Sequence, residues 1–217
     1  MRAVVAGMIG LVSHFSIVAI YVGFLLVDQA FFPQKLDALF PDPARRGRAR
    51  LVMARVGEGI RTYLWIMTAV STMTAGLSYL ILLAAGVEHA FFLAATIFVL
   101  NYIPTIGSII GTALPAFFAL MQYQAVLPTL AVLAGIGVVQ FVIGNIVLPR
   151  LAGSSLNLSL FVTVLSLFVF GALWGVTGMF VAMPLTAMLA ILFRNFEPTR
   201  PIAILLSRTG EIAPAEG

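Results

Sequence analysis

Apolar positions fill most of this chain in long unbroken blocks, and the polar positions collect between them. Ala3–Val27, Thr62–Val87, Ala90–Pro149 and Leu151–Phe193 contain no Asp, Glu, Lys or Arg, and they hold 25, 26, 60 and 43 residues. Roughly 20 apolar residues cross a bilayer as a helix. The first two blocks therefore predict single spans, over 3–27 and 62–85, and the longer two must fold back on themselves. In Ala90–Gln124 the apolar run is broken by Asn101-Tyr102-Ile103-Pro104-Thr105-Ile106-Gly107 and again by Gly111 and Pro115. In Ser159–Phe193 it is broken by Gly171-Ala172-Leu173-Trp174-Gly175-Val176-Thr177-Gly178 and by Pro184. The pattern predicts a broken helical hairpin over 90–124, a span over 125–148 and a second broken hairpin over 159–193. The expected fold is all-α: one polytopic transmembrane domain over 1–217 with two Gly/Pro-broken hairpins, because backbone groups in lipid must find their hydrogen bonds within the chain.

Composition agrees with the pattern. Charged residues make up 9% of the chain and apolar residues 61%, with a mean hydropathy of +1.10. Soluble domains carry about 25% charged residues, so a water-soluble fold is disfavoured. The net charge of +4 is a property of one loop, since 7 of the 12 basic residues lie between Lys35 and Arg61. That placement fits the positive-inside rule better than nucleic-acid binding, and no nucleic-acid partner is expected. Segment 33–61 is expected to be cytoplasmic, with a short amphipathic helix from about Arg46 into the second span. It could lie on the membrane surface, pack against another subunit in a homo-oligomer, or be a solvated connector. Tyr63 and Trp65, at the start of the second span, suit interfacial anchors. Counting crossings from this loop brings the tail, 194–217, to the same side, and eleven of the twelve basic residues then face the cytoplasm. The two broken hairpins then open toward opposite faces, the arrangement that marks a transporter site near the midplane. Glycines that merely allow close helix packing are the plainer account of the same residues.

Candidate chemistry is sparse. None of the eight carboxylates lies deep in a predicted span, although ion relays normally display one there. His14 is the titratable candidate within a span, for proton coupling or as a neutral histidine bonded to a neighbouring helix. Asn101 and Thr105 flank Pro104, whose missing N–H frees backbone carbonyls. Gln140 and Asn145 stand five apart and share a face only roughly, and Asn145 opens the run Asn145-x3-Pro149-x3-Gly153. Each polar group could contact a solute or bond helix to helix. There are no cysteines and two distant histidines, so no metal site, catalytic triad or nucleotide loop is in view, no cofactor is expected and an enzyme is disfavoured.

Three ordered motifs carry a resemblance: Asn101-Tyr102-Ile103-Pro104-Thr105-Ile106-Gly107-Ser108 followed by Pro115, Asn145-x3-Pro149-Arg150-Leu151-x-Gly153, and Trp174-Gly175-x2-Gly178-Met179-x3-Met183-Pro184-Leu185. With them the chain resembles the autoinducer-2 exporter family, also described as PerM-like permeases. The resemblance implies a multi-span protein of the bacterial inner membrane. Members are linked to export of a small signalling molecule in quorum sensing, and others to sodium or lithium/proton antiport. It also implies about two further spans ahead of Met1. The resulting expectation is a permease for a small polar organic solute. Asn101, Pro104, Thr105 and Gly107 would line one half of the path, Trp174, Gly175, Gly178 and Pro184 the other, and Gln140, Asn145 and Pro149 the way between. A monovalent cation/proton antiporter and a non-transporting oligomeric scaffold are the competing expectations. The partners are the bilayer and a small-molecule or ion substrate.

Overall fold

The computed structural model describes Phe24, Asp28, residues 31–152, residues 158–207 and Gly210. The expected span over 3–27, apart from Phe24, lies outside the described residues, as do His14 and Gly153–Asn157. The chain divides into two compact units, Met1–Ala54 and Arg55–Gly217.

In the first unit, helix α1 (Phe32–Leu39) leads to the start of α2 (Pro43–Ala84). The start of α2 follows from two residues. Pro43 has no N–H to leave orphaned at the first helical position, and the Asp42 carboxylate accepts from the Ala44 N–H at 3.1 Å. Four basic side chains here are paired: Arg46 and Arg50 reach Asp37, Arg45 reaches Asp42 at 3.7 Å, and Lys35 reaches Asp28 at 2.7 Å. These pairs are exposed, so each contributes little to stability.

The second unit is a set of apolar helices: the remainder of α2, α3 (Ala90–Leu100), α4 (Ile106–Tyr123), α5 (Val126–Val142), a π turn (Ile143–Val147), α6 (Leu148–Ala152), α7 (Leu160–Asn195) and α8 (Arg200–Leu206). Among the described residues, four helical stretches are long and apolar enough to cross a membrane: Pro43–Ala84, Ile106–Tyr123, Val126–Ala152 and Leu160–Asn195. Large apolar side chains such as Phe91, Leu127, Phe161 and Phe168 stand exposed on their outer faces. A surface of that kind is stable against lipid rather than water. The chain is a multi-pass, all-α membrane protein.

Helix α2 is the spine. Its buried positions Tyr63, Met67, Val70, Thr74, Ser78 and Leu82 recur three or four apart, so one stripe of the helix faces inward. Small Ser71, Thr74 and Ser78 in that stripe let neighbouring backbones approach. Hydroxyls in lipid are commonly satisfied by their own helix. Thr74 donates to the Val70 carbonyl at 2.8 Å, and Thr96, Thr112, Thr129 and Thr186 make the same four-residue back-bond. The helix stops at Gly86, whose φ of 70° opens a left-handed cap. The Gly86 N–H donates to Leu83 and the Val87 N–H to Leu82, and the Val87 and Leu82 side chains meet in the core. That core joins Leu82 to Leu93 and Ile97 of α3, Ala119 of α4, and Val132 and Ile136 of α5. At the same end, Tyr123 Oη donates to the Ala85 carbonyl at 2.6 Å and Gln122 brackets the turn through Gly86 and Glu88.

Two of the turns in the helical path fall within the segments expected to be broken hairpins. Between α3 and α4, Asn101–Thr105 make a short turn ending in Thr105 at φ 65°, and Gly107 then comes so close to the end of α3 that a Cβ there would run into the Leu100 carbonyl oxygen. Within α7, Gly175 adopts φ 64° and ψ −145°. Three residues later, Gly178 lies so close to the first arm that a Cβ would run into the Phe170 carbonyl oxygen. Helix α4 nevertheless continues through Gly111 and Pro115, and α7 through Pro184. A proline inside a membrane helix removes one hydrogen bond, which neighbouring helices and local adjustment can compensate. The returning arm of α7 packs on the base of α2, where Ile191 covers Gly59 and Arg55 donates to the Asn195 side chain at 3.4 Å.

Candidate functional site: a polar groove beside two irregular helices

Helices α4 and α5 pack closely because α4 presents Gly111, Pro115 and Ala119, all small or compact and all buried, along one face. Beside that face a groove of about 460 Å³ opens between the two helices, lined by Ser108, Ile109, Thr112 and Ala113 on one wall and Leu133, Gly137, Gln140, Phe141 and Asn145 on the other. Its floor is apolar, and its polar groups are hydroxyls and amides without a formal charge. Such a lining offers hydrogen bonds in fixed directions and no ion partner, which suits an uncharged polar molecule.

Two of the amides are positioned by irregular features of the sequence. Gln140 is half-buried, and its Nε2 is buried with no hydrogen-bond partner. It fits because position 111 is glycine: a Cβ there would sit 3.2 Å from that nitrogen. Asn145 lies in the π turn, where the Leu148 N–H reaches back to the Ile143 carbonyl and the ladder widens by one residue. The Asn145 Nδ2 donates to the Phe141 carbonyl at 3.0 Å, and its side chain is exposed at the mouth of the groove. Wide turns of this type recur at functional sites. A regular helix would place residues 140 and 145 about 140° apart around the axis; the π turn helps bring both amides into one groove.

The other expected site residues fall elsewhere. Asn101 is half-buried with its N–H bonded to the Ile97 carbonyl at 3.0 Å. Pro104 is half-buried and Thr105 exposed in the same turn, with Gly107 buried beneath them. Trp174 and Gly175 are exposed, the Trp174 ring stacking on Phe170 at 5.7 Å. Gly178 is buried, Pro184 half-buried in the returning arm, and Pro149 exposed on α6. The two irregular segments do meet, through neighbours that sequence reasoning did not single out. Ile103 packs with Leu167 and Ala182, and the Tyr102 and Phe180 rings lie 6.4 Å apart. Tyr102 Oη also shares a 2.8 Å hydrogen bond with Thr68 Oγ1 on α2. Ser108 and Thr112 were missed as well, though their four-residue spacing in an apolar run was a readable signal. Among the described residues no cluster of three or more His, Asp or Glu could hold a metal ion.

Residues 1–197 match the family described as "AI-2E family transporter". The chain is 34% identical over 184 residues to "AI-2 transport protein TqsA" of Escherichia coli K12, an alignment covering 85% of this chain and 52% of that protein. It is 31% identical over 204 residues to "Putative transport protein YhhT" of the same strain, covering 94% of this chain and 57% of the relative. "Putative transport protein YrrI" of Bacillus subtilis is 33% identical over 154 residues, 70% of this chain and 42% of its own length. The chain thus spans about half the length of the curated relatives it matches. With most of its length inside the family's pattern, the chain belongs to the AI-2E family of transporters.

Proposed function

We propose that this chain forms the transport region of a secondary permease of the bacterial inner membrane, exporting a small, uncharged, polar organic solute. The observation that carries the reading is the groove between α4 and α5. It is uncharged, lined by Ser108, Thr112, Gln140 and Asn145, and holds a buried amide nitrogen with no protein partner. A hydroxyl or carbonyl oxygen on a solute would satisfy that nitrogen. The printed name of the E. coli relative, an AI-2 transport protein, supports an autoinducer-like cargo. In this reading the segments around Asn101–Thr105 and Gly175 enter from opposite faces, the basic segment 33–61 and the tail face the cytoplasm, and rearrangement of the two arms exposes the groove alternately.

The reading is tested with purified protein in liposomes, following radiolabelled glycerol, radiolabelled ribose and ²²Na⁺. At least one of the neutral solutes is expected to equilibrate faster than in empty liposomes. Gln140→Leu and Asn145→Leu should each lower that flux tenfold or more while the melting temperature stays within about 2 °C of the parent. Leucine preserves the volume and removes the hydrogen bond. Unchanged flux in both variants, or movement of ²²Na⁺ alone, would remove the groove from the transport path.

A further inference from the structure

Tyr63 begins the apolar part of α2, two residues beyond Arg61, yet it is only 2% exposed. Its hydroxyl has no hydrogen-bond partner among the described protein atoms. The ring lies against Met67 of its own helix and Met183 of the returning arm of α7, with Tyr102, Leu148 and Leu158 around it. Three of these neighbours come from separate parts of the second unit, each at or beyond an irregular stretch of backbone. Tyr102 belongs to the turn between α3 and α4, Leu148 follows the π turn, and Met183 follows Gly175. Of the two tyrosines in this cluster, Tyr102 has its hydroxyl bonded to Thr68. Among the described residues the Tyr63 hydroxyl has no such bond.

Packing alone does not account for the hydroxyl. A phenylalanine would fill the same volume without placing an unpaired O–H in a dry site, which is unfavourable. The flanking methionines are flexible and polarisable, a lining that can adapt to different contents. We propose that Tyr63 is a further solute-contacting residue of the permease: its O–H donates to a hydroxyl or carbonyl oxygen of the neutral solute as it passes between the turn at Asn101–Thr105 and the returning arm of α7. This rests on the permease reading and extends the path from the α4/α5 groove toward the Arg61 end of the protein.

Tyr63→Phe separates the two roles, because loss of the hydroxyl should have opposite effects on stability and transport. The expected result is a melting temperature unchanged or raised, with flux of the faster-moving neutral probe, glycerol or ribose, reduced fivefold or more. In parallel, X-ray hydroxyl-radical labelling uses water itself as the probe. Tyr63 should be oxidised within tenfold of the rate of exposed Trp65. The proposal is overturned if Tyr63→Phe leaves flux unchanged while Gln140→Leu abolishes it, if the melting temperature of Tyr63→Phe falls by several degrees, or if Tyr63 resists oxidation while Trp65 is modified. Failure of the permease reading would be seen separately, as parent protein that moves neither neutral probe.

Discussion

Gly107→Ala and Gly178→Ala should each destabilise the protein by about 3 kcal/mol or more, at the upper end of what a single added methyl group does in a packed interior. In both positions the new carbon meets a backbone carbonyl, of Leu100 and of Phe170 respectively. A side chain could rotate away, but a carbonyl at the end of a helix moves only with the helix. The arms would have to separate, opening the contact among Ile103, Leu167 and Ala182. Thermal unfolding in detergent and the fraction of monodisperse protein read the effect. Gly137→Ala is the matched comparison, since its Cβ would lie 3.9 Å from Thr112 Cγ2, an ordinary contact. It should be neutral or stabilising, alanine being the better helix former by about 1 kcal/mol. A Gly178→Ala protein melting like the parent would mean that the arms of α7 do not approach as described.

Gly175→Ala should be the next most damaging change, for a different reason. Nothing lies within 4 Å of where its Cβ would be, so there is no collision with a neighbour. The difficulty is the backbone itself, because φ 64° with ψ −145° is a conformation side-chain-bearing residues rarely adopt. The expected cost is about 1–3 kcal/mol, together with slowed solute flux if the angle between the two arms sets the path. Gly76→Ala, in the open face of α2 with an ordinary helical backbone and nothing within 4 Å, is the control for simple loss of glycine. If both alanine variants melt alike, the angle at Gly175 is not held by that residue's backbone freedom.

The membrane class and its helical character were legible because they depend on sums. Long charge-free blocks admit few solutions in lipid, whatever the details of packing. Individual residues were harder to place. Tyr63 and Trp65 look equivalent in the sequence, two aromatics at a span boundary. Two residues along a helix is about 200° around its axis, so they cannot share a face: Trp65 is 72% exposed and Tyr63 buried. Pro104 stands in a turn, whereas Pro115 and Pro184 stand inside continuous helices. Local sequence marks all three equally, and the surrounding packing decides which one interrupts the helix. Gln140 and Asn145 were readable as polar groups in an apolar run. That they line one groove was not, because five-residue spacing suggests divergent directions until the π turn intervenes. Gly111 gave no sign that its missing side chain makes room for an amide on another helix.

The widened coil at Ile143–Val147 also constrains how this stretch can change over time. It holds one more residue than an α-helix of the same rise would need. Removing one residue there, for instance Gly144, would let the coil close to a regular α-helical turn, and the helix beyond would keep its facing. Leu148 would stay beside Ile66 and Tyr63, and Ala152 beside Val70. Elsewhere along α5 the same deletion would turn all that follows by about 100°, so this coil is where homologous proteins should differ in length by one residue.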